Sequence, residues 1–242
     1  MRNLLVSLAI ATALYVLLGV VLGWGGYALL VAVPAMMLAN FLLARRTSRR
    51  LEALFQEVSR ALQQRHVDHA IKLLEEAKRT YRDQFFLGKA LDAQIGTILY
   101  AHKREFAAAR PYLERAPLKN WQARAMLAAS YFKDKDYAAM ERVFEQACKK
   151  NKRAGLLWAT YAWCQYKRGL REQAIEILAR ALRHQPGDEK LKASLLALQN
   201  ERRLRMRRYE PEWWAFHLEK VPQPRQEIRL RRGRRPGRGQ RR

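Results

Sequence analysis

The stretch GLLWATYAWCQYKRGLREQAIEILARALRHQP, residues 155–186, contains two apolar runs at helical spacing, separated by a glycine and closed by a proline. Counted from Gly155, positions 4, 8, 15, 20, 24, 27 and 32 are Trp158, Ala162, Gly169, Ala174, Leu178, Ala181 and Pro186. Small residues allow two helices to approach closely, large residues fill the remaining space, and proline ends the second helix. The stretch therefore predicts an antiparallel pair of helices.

The same pattern recurs upstream in three further units. A unit that begins 34 residues earlier, at Trp121, has Leu127, Ala128, Tyr131, Tyr137, Phe144 and Ala147 at positions 7, 8, 11, 17, 24 and 27. A weaker unit begins near Ala90 and contains Tyr100, Phe106, Ala109, Leu113 and Ala116. The weakest begins near Leu51, contains Leu54, Val67, Ala70, Leu74 and Ala77, and lacks the aromatic and glycine positions. Because one hairpin cannot bury its own apolar face, three or four of them must stack on a common core.

These positions closely resemble those of the tetratricopeptide repeat over about residues 51–187. The resemblance implies a noncatalytic scaffold that holds a peptide or a helix in a concave groove, lined by the first helix of each unit. Carried across position by position, it assigns to a partner groove Gln94, His102, Phe132, Lys133, Trp163, Tyr166 and Lys167. A basic and aromatic groove favours a protein partner with an acidic segment. Alternatively, Tyr166 replaces the tyrosine missing at position 11, and both lysines are solvated.

The first 44 residues predict a membrane anchor. Residues 4–22 and 27–44 carry no charge, and each is long enough to cross about 30 Å of hydrocarbon as a helix. A signal peptide is the rival interpretation, but no small-x-small cleavage site followed by polar sequence is present. The basic residues directly behind the second span are Arg45, Arg46, Arg49 and Arg50. Because such residues resist translocation, we expect both termini on the cytoplasmic side and the arginines against lipid headgroups.

Two further expectations concern the anchor. The resemblance to anchored tetratricopeptide proteins implies the bacterial inner membrane. Small residues four apart, such as Gly19 and Gly23, allow close helix packing within the anchor or a homodimer.

The carboxyl-terminal part of the chain is strongly basic. The net charge of the whole chain is +25, and residues 201–242 hold 15 basic and five acidic residues. Residues 188–208 predict an amphipathic capping helix with Asp188 as its N-cap. In residues 209–223 an aromatic cluster around Trp213 and Phe216 is expected to dock on the end of the solenoid, with insertion at the membrane or partner binding as alternatives.

Residues 224–242 combine nine arginines with glycine and proline and predict a disordered tail. The arginines expected to contact a polyanion there are Arg229, Arg231, Arg232, Arg234, Arg235 and Arg238. Lipid headgroups are the leading target, RNA or the ribosome is the rival, and a purely topology-enforcing role is a third possibility.

The residue pattern offers no site for chemistry. The sequence has no phosphate-binding glycine loop, no hydrolase nucleophile motif and no zinc-peptidase motif. Its two cysteines, Cys148 and Cys164, predict buried free thiols. We therefore expect no catalytic residue, metal or cofactor.

The predicted fold is all-α, with two transmembrane helices in residues 1–44, a basic juxtamembrane segment at 45–50, and four hairpins at about 51–84, 90–120, 121–154 and 155–187. A capping helix, an aromatic segment and the tail follow. The function that this organisation favours is an adaptor that recruits a protein partner to the cytoplasmic face of a membrane. The alternative is a membrane-tethered RNA- or ribosome-binding protein that acts through its tail.

Overall fold

The computed structural model describes residues 26–81 and 85–221, together with Thr12 and Val16. Its α-helices are α1 (Gly26–Gln63), α2 (Val67–Thr80), α3 (Phe85–Ile98), α4 (Phe106–Arg115), α5 (Trp121–Lys133), α6 (Tyr137–Lys150), α7 (Gly155–Lys167), α8 (Arg171–His184) and α9 (Glu189–Gln199). A π-helical turn, Leu99–Lys103, extends α3, and two 3-10 turns, Met206–Tyr209 and Glu212–Phe216, follow α9. These residues contain no strand, so the predicted all-α class is confirmed for the part described.

Consecutive helices pack as hairpins, and the hairpins stack into one core that runs from Val58 to Phe216. The small residues of the repeat pattern lie where helices meet, and Ala128, Ala162 and Ala174 are fully buried. Between the third and fourth hairpins, the rings of Phe144 and Tyr161 stack with centroids 4.9 Å apart. The large and small positions thus have the packing roles that the sequence predicted for them.

Position 15 takes the left-handed backbone conformation in all four units, at Arg65, Arg104, Lys135 and Gly169, with φ of 62°, 59°, 64° and 86°. After three of these turns, the next amide donates to a carbonyl five residues back, as Leu170 does to Gln165 at 3.0 Å. His66 donates to Ala61 at 2.8 Å in the same way. A hydrogen bond of this kind ends a helix. The first unit, which lacks the glycine, therefore makes the same inter-helix turn as the fourth unit.

The second unit contains one additional residue in its first helix. The amide of Glu105 donates to the carbonyl of Leu99, six residues back, at 3.1 Å. The extra residue forms the π turn, a feature that is frequent where helices carry function.

Helix α9 begins as predicted but ends earlier than the expected 188–208. The Asp188 carboxylate accepts hydrogen bonds from the amides of Lys190 and Leu191 at 2.9 and 3.1 Å. The helix ends because Glu201 takes a φ of 54° and the amide of Arg202 donates to Ala197, which is the turn used within the repeats. The chain then runs back over the hairpins and adds no second helix.

The predicted span 27–44 lies within α1, which continues through the basic residues 45–50 to Gln63. Helix α1 exposes the large apolar side chains of Met37, Leu38, Phe41 and Leu42. Among the described residues, no helix combines the length and the apolar character needed to cross a bilayer. The predicted span 4–22, apart from Thr12 and Val16, and the predicted tail 224–242 lie outside the described residues.

Candidate functional site: the first-helix face and its bound segment

The first helices of the second, third and fourth units, α3 with its π turn, α5 and α7, lie side by side and form one surface, the first-helix face. Residues 204–219, here the C-terminal segment, lie against it. The 3-10 turn Glu212–Phe216 contacts the π turn and α5, and the 3-10 turn Met206–Tyr209 contacts α7. The segment therefore spans three units.

Four aromatic rings connect the face to the C-terminal segment. The Trp163 ring lies 5.8 Å from Phe132 on its own side and 5.1 Å from Trp213 of the segment, between centroids. The Trp213 ring in turn lies 6.0 Å from that of Phe216. Trp213 and Phe216 are only 1% and 2% exposed, so this contact removes two large rings from water.

Polar contacts fix the register of the segment on the face. The Tyr100 hydroxyl donates to the carbonyl of Phe216 at 2.9 Å, and His217 Nε2–H donates to the carbonyl of Ala101 at 2.9 Å. The Glu219 carboxylate accepts from the indole N–H of Trp163 at 3.3 Å and from that of Trp213 at 3.0 Å. One carboxylate thus joins an indole of the face to an indole of the segment.

The two predicted groove lysines have different environments. Lys133 is half-buried, with its ammonium 3.4 Å from the Phe106 ring centroid and 5.0 Å from that of Tyr100. Burial, with a smaller contribution from Arg104, lowers the pKa of Lys133 to about 8. Lys167 is exposed, with its ammonium 5.2 Å from the Trp163 ring centroid. Both lysines thus lie over aromatic rings that face the segment, an attraction that offsets part of the cost of burial at Lys133.

The other predicted residues are partly assembled at this site. Phe132, Trp163 and Tyr166 lie on the first-helix face, and Tyr166 and Lys167 line a cavity of about 610 Å³ beside residues 203–207 and Glu219. Gln94 and His102 are exposed on α3 and the π turn. The predicted juxtamembrane arginines, Arg45, Arg46, Arg49 and Arg50, are exposed along α1. The predicted tail arginines lie outside the described residues.

The aromatic cluster was expected to dock on the end of the solenoid, and this placement is wrong. It docks on the first-helix face, because the turn at Glu201 directs the chain back across the hairpins. Sequence reasoning also missed Tyr100, His217 and Glu219 as site residues. Glu219 offered a weak signal, since it is an acidic residue six positions after a tryptophan in a strongly basic part of the chain.

The described residues include side chains of the types that bind metals, and both cysteines of the chain. They contain no group of three or more histidine, cysteine or acidic side chains placed to hold a metal ion. Cys148 and Cys164 are free and fully buried, as predicted, and burial raises the pKa of both thiols, which keeps them protonated and unreactive.

Comparison with known proteins agrees with this geometry. No curated protein matches the chain. A family model described as Tetratricopeptide repeat matches residues 131–198, which include the fourth hairpin, most of the third and nearly all of α9. This fold is typically a noncatalytic module that binds proteins, and no enzyme family is indicated. Residues 131–198 are therefore similar to the tetratricopeptide repeat, and the stacked helical hairpins agree with that match.

Proposed function

We propose that the chain is a noncatalytic, membrane-anchored scaffold that recruits a protein partner to the cytoplasmic face of the bacterial inner membrane. The observation that supports a binding role most directly is the C-terminal segment on the first-helix face. There the repeats hold a peptide with two 3-10 turns by ring contacts and hydrogen bonds from the second and fourth units, and by packing against α5 of the third. A face with this chemistry is suited to a peptide of another protein.

The proposed anchor is supported by charge and exposure. The chain carries no charged side chain from Asn3 to Ala44. In α1, the exposed apolar side chains Met37, Leu38, Phe41 and Leu42 are followed directly by the exposed arginines of residues 45–50. An apolar stretch that ends in a cluster of arginines suits insertion with the basic end at an anionic, cytoplasmic leaflet.

The anchor is tested by extraction and by a topology reporter. The intact chain should remain with membrane vesicles in alkaline carbonate, and a reporter fused at residue 242 should be active on the cytoplasmic side. Release by carbonate, or activity of the reporter outside the cytoplasm, would contradict the anchor.

Partner recruitment is tested by affinity purification of the full chain in mild detergent. Lys167→Glu reverses an exposed charge on the first-helix face and should reduce partner recovery severalfold. Lys149→Glu makes the same charge change at an exposed position of α6, a second helix, and is the matched control. Equal recovery with both variants would count against this face as the recruiting surface.

A second candidate, a membrane-tethered RNA- or ribosome-binding protein, is favoured by the charge that precedes the tail. Between α9 and the buried Tyr209 the chain exposes Arg202, Arg203, Arg205, Arg207 and Arg208. Exposed arginines suit sequence-independent contact with phosphates. If the tail carries this function, truncation after Pro224 should greatly reduce the recovery of RNA crosslinked in cells, with a remainder bound by these five arginines, while protein capture by the first-helix face continues.

A further inference from the structure

The C-terminal segment has the features of a bound ligand. Helix α9 ends in the turn used within the repeats, but the chain does not complete a hairpin there. Instead it crosses α7, α5 and the π turn, and its contacts with the face come mainly from side chains. The apolar side chains of Leu204, Met206 and Tyr209, which are at most 5% exposed, alternate with exposed arginines along the approach.

The recognition elements of the segment follow a simple spacing. The first ring, Trp213, packs on Trp163, and the second, Phe216, lies three residues later with its carbonyl held by Tyr100. A carboxylate, Glu219, lies three residues after the second ring and accepts from the Trp163 indole. A peptide from another protein with this spacing could make the same contacts.

One residue of the segment, His217, lies among basic groups of the face. The His217 ring lies 5.9 Å from the Phe106 ring and 6.2 Å from the Tyr100 ring, the two rings that also contact the Lys133 ammonium. Lys133, Arg104 and His102 are the basic groups around it, and Lys133 is half-buried. His217 donates to the Ala101 carbonyl but leaves the charge of Lys133 without compensation from the segment. An acidic side chain there gives up that hydrogen bond and gains attraction to Lys133 and Arg104.

We propose that the C-terminal segment is an exchangeable intramolecular ligand. The partner that displaces it carries a peptide with two aromatic side chains three positions apart, an acidic residue directly after the second, and a further carboxylate two positions on. This inference rests on the proposed protein-binding function and specifies its ligand. The intramolecular ligand competes at an effective concentration of about 1 mM because of its short tether. A partner peptide must therefore bind intrinsically more tightly, and the acidic residue in place of His217 supplies that difference.

The test uses the full chain in detergent and fluorescein-labelled peptides of residues 209–221, followed by fluorescence anisotropy. Trp213→Ala combined with Phe216→Ala in the chain should bind the natural peptide at least tenfold more tightly than the unmodified chain does. A peptide that carries His217→Glu should bind both proteins more tightly than the natural peptide. Leu196→Ala in the chain, which truncates an exposed apolar side chain of α9 outside the segment, is the control and should leave affinity unchanged.

Three outcomes would overturn the proposal. The first is a double variant that keeps its helical circular dichroism and binds the natural peptide no better than the unmodified chain. The second is a peptide carrying His217→Glu that binds no better than the natural one. The third is a dimer mass, measured by light scattering, that is lost with the segment's rings and shows that the segment exchanges only between two copies of the chain.

If the double variant loses helical structure, Glu219→Ala in the chain replaces it. This substitution removes the carboxylate that accepts from Trp163 and Trp213, and it does so only in the tethered segment. It should therefore raise the affinity for the natural peptide severalfold; an unchanged affinity contradicts the proposal. The two proposals can fail separately. If the peptides bind as expected but Lys167→Glu and Lys149→Glu recover the partner equally, the segment is exchangeable and the proposed recruiting role is rejected.

Discussion

At the scale of single residues, the four inter-helix turns show how much backbone strain the hairpins tolerate. Position 15 is left-handed in every unit, but only the fourth unit has glycine there. A left-handed conformation costs a residue with a side chain about 1–2 kcal/mol, part of which glycine loses again to its greater freedom in the unfolded chain.

Lys135→Gly should therefore raise the free energy of unfolding by about 0.5–1 kcal/mol, because Lys135 is exposed and has a φ of 64°. The reciprocal change, Gly169→Ala, should lower it by about 1 kcal/mol through the backbone alone, since a methyl group there would meet no other atom within 4 Å. Urea unfolding measures both changes. Stabilisation by Gly169→Ala would contradict the strain argument.

The pH dependence of the docked segment should follow His217. Burial lowers its pKa, the hydrogen bond to the Ala101 carbonyl opposes this, and Arg104, Lys133 and His102 lower the pKa further. The detached segment then binds a proton more readily than the docked one, so acid favours detachment below the ordinary value of about 6.5. Lys133 acts in the same direction but titrates near pH 8, so it changes little below pH 7.5.

Hydrogen exchange of residues 206–219, corrected for intrinsic rates, should show more frequent opening at pH 5.5 than at pH 7.5. His217→Gln should remove most of this difference. An identical acid response in that variant would show that another group is responsible.

At the scale of helices, α9 depends on one capping residue. Asp188 accepts two backbone hydrogen bonds at the start of the helix, and its carboxylate lies against Gly155 at the start of α7. Asp188→Ala should lower the free energy of unfolding by about 1 kcal/mol, whereas Asp188→Asn should retain most of the stability. Thermal and urea unfolding separate the two. Equal losses would indicate that charge, and not capping, is what Asp188 supplies.

The sequence predicts the positions of the helices better than it predicts the arrangement of the site. The 34-residue spacing predicted the starts of α5 and α7 at Trp121 and Gly155, because each small and large position has a local packing role. The π turn has no such signature, since one inserted residue leaves the apolar pattern on either side intact. The position of Trp213 depends on the direction in which the chain leaves Glu201. The contact between the Trp163 and Trp213 rings joins residues 50 positions apart in sequence, so no local pattern predicts it.

At the scale of the whole molecule, the segment contacts three hairpins. Its detachment should therefore make the effects of substitutions within it on the free energy of unfolding non-additive. If it is exchangeable, Trp213→Ala removes most of its docking free energy, and adding Phe216→Ala then has little further effect. We expect the double variant to lose less than the sum of the two single losses, by more than about 1 kcal/mol. Urea unfolding of the three variants measures this. Additive losses would instead mark both rings as fixed parts of the core.

The π turn, which extends α3, explains why the Ala101 carbonyl is available to the segment. In the third and fourth units the equivalent carbonyls, of Phe132 and Tyr166, accept from the amide at position 15. Here the amides of Arg104 and Glu105 both reach back to Leu99 and leave the Ala101 oxygen to His217. Deletion of one codon within residues 99–103 would restore the regular ladder and withdraw this oxygen from the surface. The affinity of the protein for its own carboxyl-terminal peptide could thus be set in evolution by the gain or loss of a single amino acid, without any substitution at the contacting side chains.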